Sequence, residues 1–298
     1  MLKPSRKQNS RRKFLRDSAL AGGGLLAFEA GAAGLAADTT PAGSSNEVIR
    51  TIHGLRTIHG NFLDKPVPDA ALQTILQASL RAANASANQS YSIIVIKDRG
   101  MMGQVCGYKG GCLLLYCADY NRLKASAESL GHPFEPGTME SFITASTNTV
   151  LAAQTAVIAA RSLGIDSLLT NGIHRGDMDR LWTLLDLPQT HCFPLIALAL
   201  GYPTEQPAVL KGRLDGAGII HNEKYHRLTK EETEEITRKY DDKQRHLGLN
   251  DDWERQGYKH YLDWFFTAWM GQWAKPPAQE TQILRRLKRS GFVELQKG

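Results

Sequence analysis

Two short cationic clusters stand far apart in this 298-residue chain. Arg56-Thr57-Ile58-His59 precedes the first long stretch with helical apolar spacing, and Lys211-Gly212-Arg213 follows the last apolar run. Each sets hydrogen-bond donors beside small residues, the chemistry that grips a phosphate: Arg as a planar fork, Lys as a point charge, Gly to let the backbone come close. Taken singly, either is equally the pattern of an exposed charged pair. Ala82 to Tyr91 (Ala-Ala-Asn-Ala-Ser-Ala-Asn-Gln-Ser-Tyr) supplies amides and small side chains directly before a strand-like run. Such a segment suits the edge of a planar heterocycle, or simply a helix-to-strand turn. Asn171-Gly172 closes another apolar run, at the strand end where open sheets bind ligands.

Cysteine chemistry is the rival. Cys106, Cys112 and Cys117 have x5 and x4 spacing, Cys192 lies far along, and His132, His174 and His191 are scattered. No C-x2-C pair exists, so no metal site is expected and the thiols read as core residues.

The elements that must position these groups follow from periodicity. Leu72, Ile75, Leu76 and Leu80 form the stripe of an amphipathic helix over Asp69 to Arg81, started by Pro68-Asp69. Tyr91 to Lys97 and Cys112 to Ala118 read as strands, the second buried. Ser146 to Gly164 is Ala-rich and apolar on nearly every turn, the mark of a central helix. Ile165 to Leu169 and Phe193 to Leu200 are two further strands around a helix from Asp177 to Leu187. The alternation predicts an α/β or α+β class with one sheet covered on both faces. Beyond Tyr202, Pro203 to Tyr225 is loop-like and Thr229 to Lys243 is a charged helix opening on a Thr229/Glu232 capping box. Trp253 to Trp273 is dense in aromatics at helical spacing, and Arg285 to Arg289 reads as a solvated helix face. The pentapeptide Arg-Thr-Ile-His-Gly occurs at both 50–54 and 56–60, so either arginine is a candidate for the first cluster.

The net charge of +6 suggests nucleic acid until it is located. Residues 1–37 hold seven basic side chains against Asp17 and Glu29, so the body is close to neutral and no nucleic-acid partner is expected. Ser10-Arg11-Arg12-Lys13-Phe14-Leu15-Arg16, then a weakly apolar run from Ala19 to Ala37, resembles a twin-arginine export signal, with cleavage after Ala36 or Ala37. The expected division is a signal peptide over 1–37, a polar linker over 38–47, a catalytic domain over 48–225 and a helical, aromatic-rich extension over 226–298. Export implies a periplasmic or extracytoplasmic location.

In order and spacing, the motifs resemble those of the nitroreductase superfamily of FMN-dependent oxidoreductases. The resemblance rests on Arg56-Thr57-Ile58-His59 with Phe62 and Pro66-Val67, on Ala82 to Tyr91, and on Ala159-Ala160-Arg161-Ser162-Leu163-Gly164. Asn171-Gly172, Leu200-Gly201-Tyr202-Pro203 and Lys211-Gly212-Arg213 complete it. His59 stands in place of a second Arg and Asn171 in place of an acidic residue.

The resemblance implies an α+β sandwich, a mixed central sheet covered by helices on both faces, in a homodimer with exchanged terminal segments. It implies one FMN at each of two interface sites. Arg56, Lys211 and Arg213 would hold the phosphate, assisted by Thr57 and His59. Asn84, Ser86, Asn88 and Gln89 would meet the isoalloxazine edge, the decisive amide coming from Asn84 or Asn88. Asn171 and Gly172 would form the catalytic turn, with the Gly172 backbone N–H aimed at flavin N5. The implied activity is two-electron reduction of a small nitro-, quinone- or halo-aromatic acceptor. A non-catalytic flavin carrier or sensor, or a partner-binding protein, is the alternative. Because NAD(P)H is a cytoplasmic metabolite, an exported enzyme would take electrons from a quinol, a cytochrome or a small redox protein. Tyr108, Lys109, the segment Asn121 to Glu140 and the aromatic stretch are the expected substrate-covering elements.

Overall fold

Four strands form the sheet of a computed structural model that describes residues 46–271 and 281–293: β1 (Tyr91–Ile96), β2 (Cys112–Asp119), β3 (Asp166–Thr170) and β4 (Cys192–Gly201). Their order is β1-β2-β4-β3 and every neighbouring pair is antiparallel. The parallel element of the expected mixed sheet is a single bridge, Thr57 to Ser167, on the outer side of β3. The segment expected to be a twin-arginine signal, with its expected cleavage point, lies outside the described residues.

β2 shows why both sheet faces are covered. Successive side chains of a strand point to opposite faces. Cys112, Leu114 and Tyr116 enter one apolar cluster, while Leu113, Leu115 and Cys117 enter another, all buried. The first cluster is roofed by α2 (Asp69–Leu80) and α5 (Met139–Ser162), the latter through Ala152, Ala153, Ala156 and Ala160. Alanine at these positions lets α5 lie close on the sheet. The second is roofed by α3 (Arg99–Cys106), α6 (Asp179–Leu185) and α9 (Gln282–Arg289). Truncating Leu114 to Ala in such a site costs about 2–5 kcal/mol. Pro194, which cannot donate to the ladder, sits where the β2–β4 register shifts between Tyr116 and Cys117.

The repeated pentapeptide adopts two conformations. Its first copy lies in α1 (Glu47–His53), where Asn46 caps the N-terminus and Arg50 pairs with Glu47 three residues back. The second copy is extended, with Ile58 N–H donating to Ser167 O at 3.0 Å. Arg56, not Arg50, is therefore the arginine placed at the sheet edge.

Three sequence expectations need revision. α5 begins at Met139, seven residues before the expected start, because Thr138 accepts from Ser141 N–H as an N-cap. The basic C-terminal helix is not a solvated face: Arg286 is 5% exposed, with its guanidinium 3.4 Å from the centroid of the Trp182 ring. The aromatic stretch is not one helix either. It comprises a turn of 3-10 helix at Glu254–Gln256, α8 (Tyr261–Trp264) and a π-turn at Phe265–Trp269. Trp253, Tyr261 and Trp264 form a small core of their own against α7 (Lys230–Asp241), where Tyr240 stacks on Tyr261. The four cysteines are buried free thiols.

Candidate active site

Arg56, Thr57, Lys211 and Arg213 line one cavity of about 730 Å³, within the range of about 300–1,000 Å³ that holds small organic ligands. Its apolar wall includes Val157, Leu169 and Leu210, and among the described residues no carboxylate lines it. An adjoining cavity of about 400 Å³ shares the same four residues and adds His59 and Gly248. Five of the residues singled out from sequence thus meet, although the two clusters lie at opposite ends of the fold-forming chain.

The local structure explains how they are held. Thr57 is fixed by its bridge to Ser167. Lys211 Nζ donates to Gly248 O at 2.8 Å, and Gly212 N–H donates to Arg245 O at 3.2 Å. A Cβ on Gly212 would lie 2.1 Å from that carbonyl, so only glycine lets the Lys-Gly-Arg turn close. Arg213 Nη1 bonds the carbonyls of Lys211 and Gly212. Arg56 is gripped differently: Nε and Nη2 donate to Asp166 Oδ1 and Oδ2 at 2.8 and 2.7 Å, and Nη2 also donates to Gln206 Oε1 at 2.6 Å. Asp166 is buried and raises the Arg56 guanidinium above its ordinary pKa, chiefly by hydrogen bonding.

The amide segment makes a tight turn of its own. Ser86, Ala87 and Gln89 all have positive φ, between 44° and 53°, an uncommon conformation for non-glycine residues and a form of stored strain. Asn84 Oδ1 accepts from Gln89 N–H at 3.3 Å, and Asn88 Oδ1 accepts from Ser90 N–H at 3.2 Å. Arg122, on α4 (Asn121–Ser129), donates to the carbonyls of Asn88 and Gln89. The organising residue is Asn148, fully buried in the middle of α5, whose Oδ1 accepts from Ala85 N–H at 2.8 Å. Sequence reasoning missed it, though the single asparagine of this Ala-rich helix was a usable signal.

Gly172 opens a short 3-10 turn at the end of β3, and its N–H donates to Thr170 Oγ1 at 2.9 Å. Asn171, exposed, precedes it and accepts from His174 N–H through its carbonyl at 3.0 Å. Gly172 lines a third cavity, about 440 Å³, with Cys106, Gly107, Tyr108, Arg175 and Arg180. Tyr108 links this region to the phosphate-like cleft: a Cβ on Gly60, next to His59, would touch its ring at 3.2 Å, and one on Gly172 at 3.9 Å. Burial pushes the Cys106 thiol pKa up, which suits a wall and not a nucleophile. In the single chain, residues 84–89 line none of these three cavities.

Known proteins resemble this chain in sequence and in fold. The chain is 31% identical over 208 residues to an FMN reductase (NAD(P)H) of Bacillus subtilis, spanning 66% of this chain and 81% of that protein. It is also 31% identical over 203 residues to an oxygen-insensitive NADPH nitroreductase of Salmonella typhimurium, covering 65% and 79%. The chain belongs to the nitroreductase family. Among solved structures, NfrA2 of B. megaterium superposes with a TM-score of 0.70 at 27% identity, over 84% of this chain and all of that one. The NfrA1 nitroreductase from B. subtilis gives 0.70 at 25%, over 82% and 98%. No family model matches the chain. The cleft of this nitroreductase-family chain brings Arg56, Lys211 and Arg213 to one cavity beside a glycine turn.

Proposed function

We propose that the Arg56–Lys211–Arg213 cleft binds the phosphate of FMN and that this protein is an FMN-dependent oxidoreductase reducing a small organic acceptor by two electrons. The observation that carries the reading is the convergence of both cationic clusters on one cavity. FMN, when bound, supplies the hydride chemistry; the protein's part is placement and electrostatics. Arg56, Lys211 and Arg213 would balance the phosphate charge, with Thr57 and His59 as additional donors. The Gly172 N–H would poise the reacting edge, giving up its bond to Thr170 Oγ1. Asn171 shapes that turn. Nitro-, quinone- and halo-aromatic compounds are the acceptor class.

The working form proposed is a homodimer in which Asn84, Ser86, Asn88 and Gln89 of one copy complete the site of the other. Support comes from apolar side chains left uncovered in the single chain: Val48 and Ile49 on α1, Ile143, Val150 and Leu151 on α5. The basic, Arg-Arg-containing segment ahead of residue 46 supports export, and with it a quinol, cytochrome or small redox protein as electron donor.

The test is direct. Full-length protein is purified, its visible spectrum recorded and its chromophore released by heat and identified. About one FMN per chain, reducible and reoxidised by a nitro-aromatic or quinone, is the expected result. Colourless protein that takes up no added FMN refutes the reading, and steady turnover with NADPH at physiological concentration refutes the proposed donor class.

A further inference from the structure

Arg56 has five N–H donors. Two acceptors consume three of them: Asp166 takes Nε–H and one Nη2–H, and Gln206 takes the other Nη2–H. Among the described residues nothing accepts from Nη1, and Arg56 lines both cavities that meet at the cationic cleft. The guanidinium is thus clamped along one edge with its opposite donors uncommitted. A one-to-one ion pair would cancel the charge that a phosphate needs. Here it does not, because Arg161 Nη1 also donates to Asp166 Oδ1, at 3.0 Å, so two guanidiniums share one carboxylate and the triad stays positive. Asp166 is 3% exposed, and a carboxylate at that depth is tolerated only when paired and hydrogen-bonded, as it is.

We propose that Asp166 is a positioning residue which, with Gln206, presents the Nη1 edge of Arg56 to a phosphomonoester and so makes the cleft select the phosphorylated form of its ligand. This rests on the flavin reading of the cleft. An arginine already locked in one rotamer loses less freedom on binding than a free one, so the clamp acts on affinity for the phosphate and leaves the ring system alone. Arg161 keeps the clamp from discharging the site.

The probes are FMN and riboflavin, identical but for the phosphate, titrated by fluorescence quenching into flavin-stripped full-length protein. Asp166→Ala lowers affinity for FMN about tenfold and leaves riboflavin unchanged; Asp166→Asn, which keeps one acceptor oxygen, lowers it less. In an Arg56→Ala background, Asp166→Ala has no further effect on the FMN-to-riboflavin ratio. Equal loss of both flavins would make Asp166 a fold residue only, and tighter FMN binding would show that it sequesters Arg56; either overturns the proposal. If Asp166→Ala does not fold, Gln206→Ala, at an exposed position, must lower the ratio, and an unmoved ratio overturns it. Wild-type protein that binds neither flavin overturns the flavin reading and this inference together; wild-type protein that binds FMN while the ratio is unmoved in the variants overturns this inference alone.

Discussion

Asn148 Nδ2 donates to Asn88 Oδ1 at 2.8 Å, so a helix residue at the centre of the core holds the tip of a surface turn. The same nitrogen donates to Ser90 Oγ at 2.9 Å, and the carbonyl side of the amide takes Ala85 N–H. Two polar groups of the strained Asn84–Gln89 turn, and the Ser90 hydroxyl just after it, are therefore satisfied by one buried side chain.

Replacing Asn148 by Ala leaves those partners unpaired next to the core. A loss of about 2–3 kcal/mol is expected, read as a lower urea midpoint with unchanged slope. Amide exchange at Ala85 should quicken well beyond that of the β2 amides. An unchanged Ala85 exchange rate would show that the turn holds itself.

Lys211→Ala removes a charge from the cleft and a bond to Gly248. FMN affinity is expected to fall about tenfold or more, by loss of a charge-assisted contact of about 1.5–3 kcal/mol, and its salt dependence should weaken. Riboflavin binding to the same variant serves as the control and should not move. Equal losses for the two ligands would place Lys211 in the loop's structure alone.

His191 gives an acid-side prediction. It is 8% exposed with φ +55°, its N–H donates to Ser290 O at 2.8 Å, and its ring lies edge-on to Phe292, so it anchors residues 290–292. Burial, and then Lys124, push its pKa below the ordinary imidazole value, while Glu135 and Asp119 act the other way. His174 is lowered too, by burial. Protons therefore bind the unfolded chain more readily than the folded one, so the stability present above about pH 6.5 is lost as pH falls below that value. His191→Asn, which tolerates a left-handed backbone, should lessen this loss between pH 7.5 and 5.5 in urea melts.

Tyr116 gives the alkaline counterpart. Its hydroxyl lies 3.1 Å from Ser79 Oγ beneath α5, and burial raises its pKa to about 12. A raised folded pKa means stability present below about pH 10 and lost as pH climbs toward 12, up to roughly 2–3 kcal/mol. Tyr116→Phe should flatten that decline, and ionisation of Tyr116 should be the last tyrosine step seen by absorbance.

Local signals were the readable part of this protein. The seven-residue apolar run in β2, the Pro68-Asp69 helix start and the Thr229/Glu232 capping box depend on neighbours in sequence, and each element stands where its pattern puts it. Both cationic clusters stood out by residue type, and the fold brings them to one cavity. What escaped was tertiary. Asp166 and Arg56 are 110 residues apart, and no spacing rule joins them. Arg286 looks like a solvent residue in a run of basic ones; only the fold lays Trp182 under it. Identical pentapeptides cannot tell which copy will be helix and which will line the sheet, since Asn46 ahead of one and Ser167 beside the other decide it.

The bridges of Thr57 to Ser167 and Phe62 to Pro203 have a consequence for the order of events during synthesis. Both join a segment made early to residues made more than a hundred positions later, and the cleft also needs Lys211 and Arg213. Loop closures of that length come late and slowly. The N-terminal segment thus leaves the ribosome long before the pocket exists, and a nascent chain captured at residue 150 would hold Arg56 with neither its carboxylate partner nor its fellow cations. On the proposed flavin reading, cofactor capture is in this sense a checkpoint on translation past Arg213: a shorter chain has no complete cleft to fill.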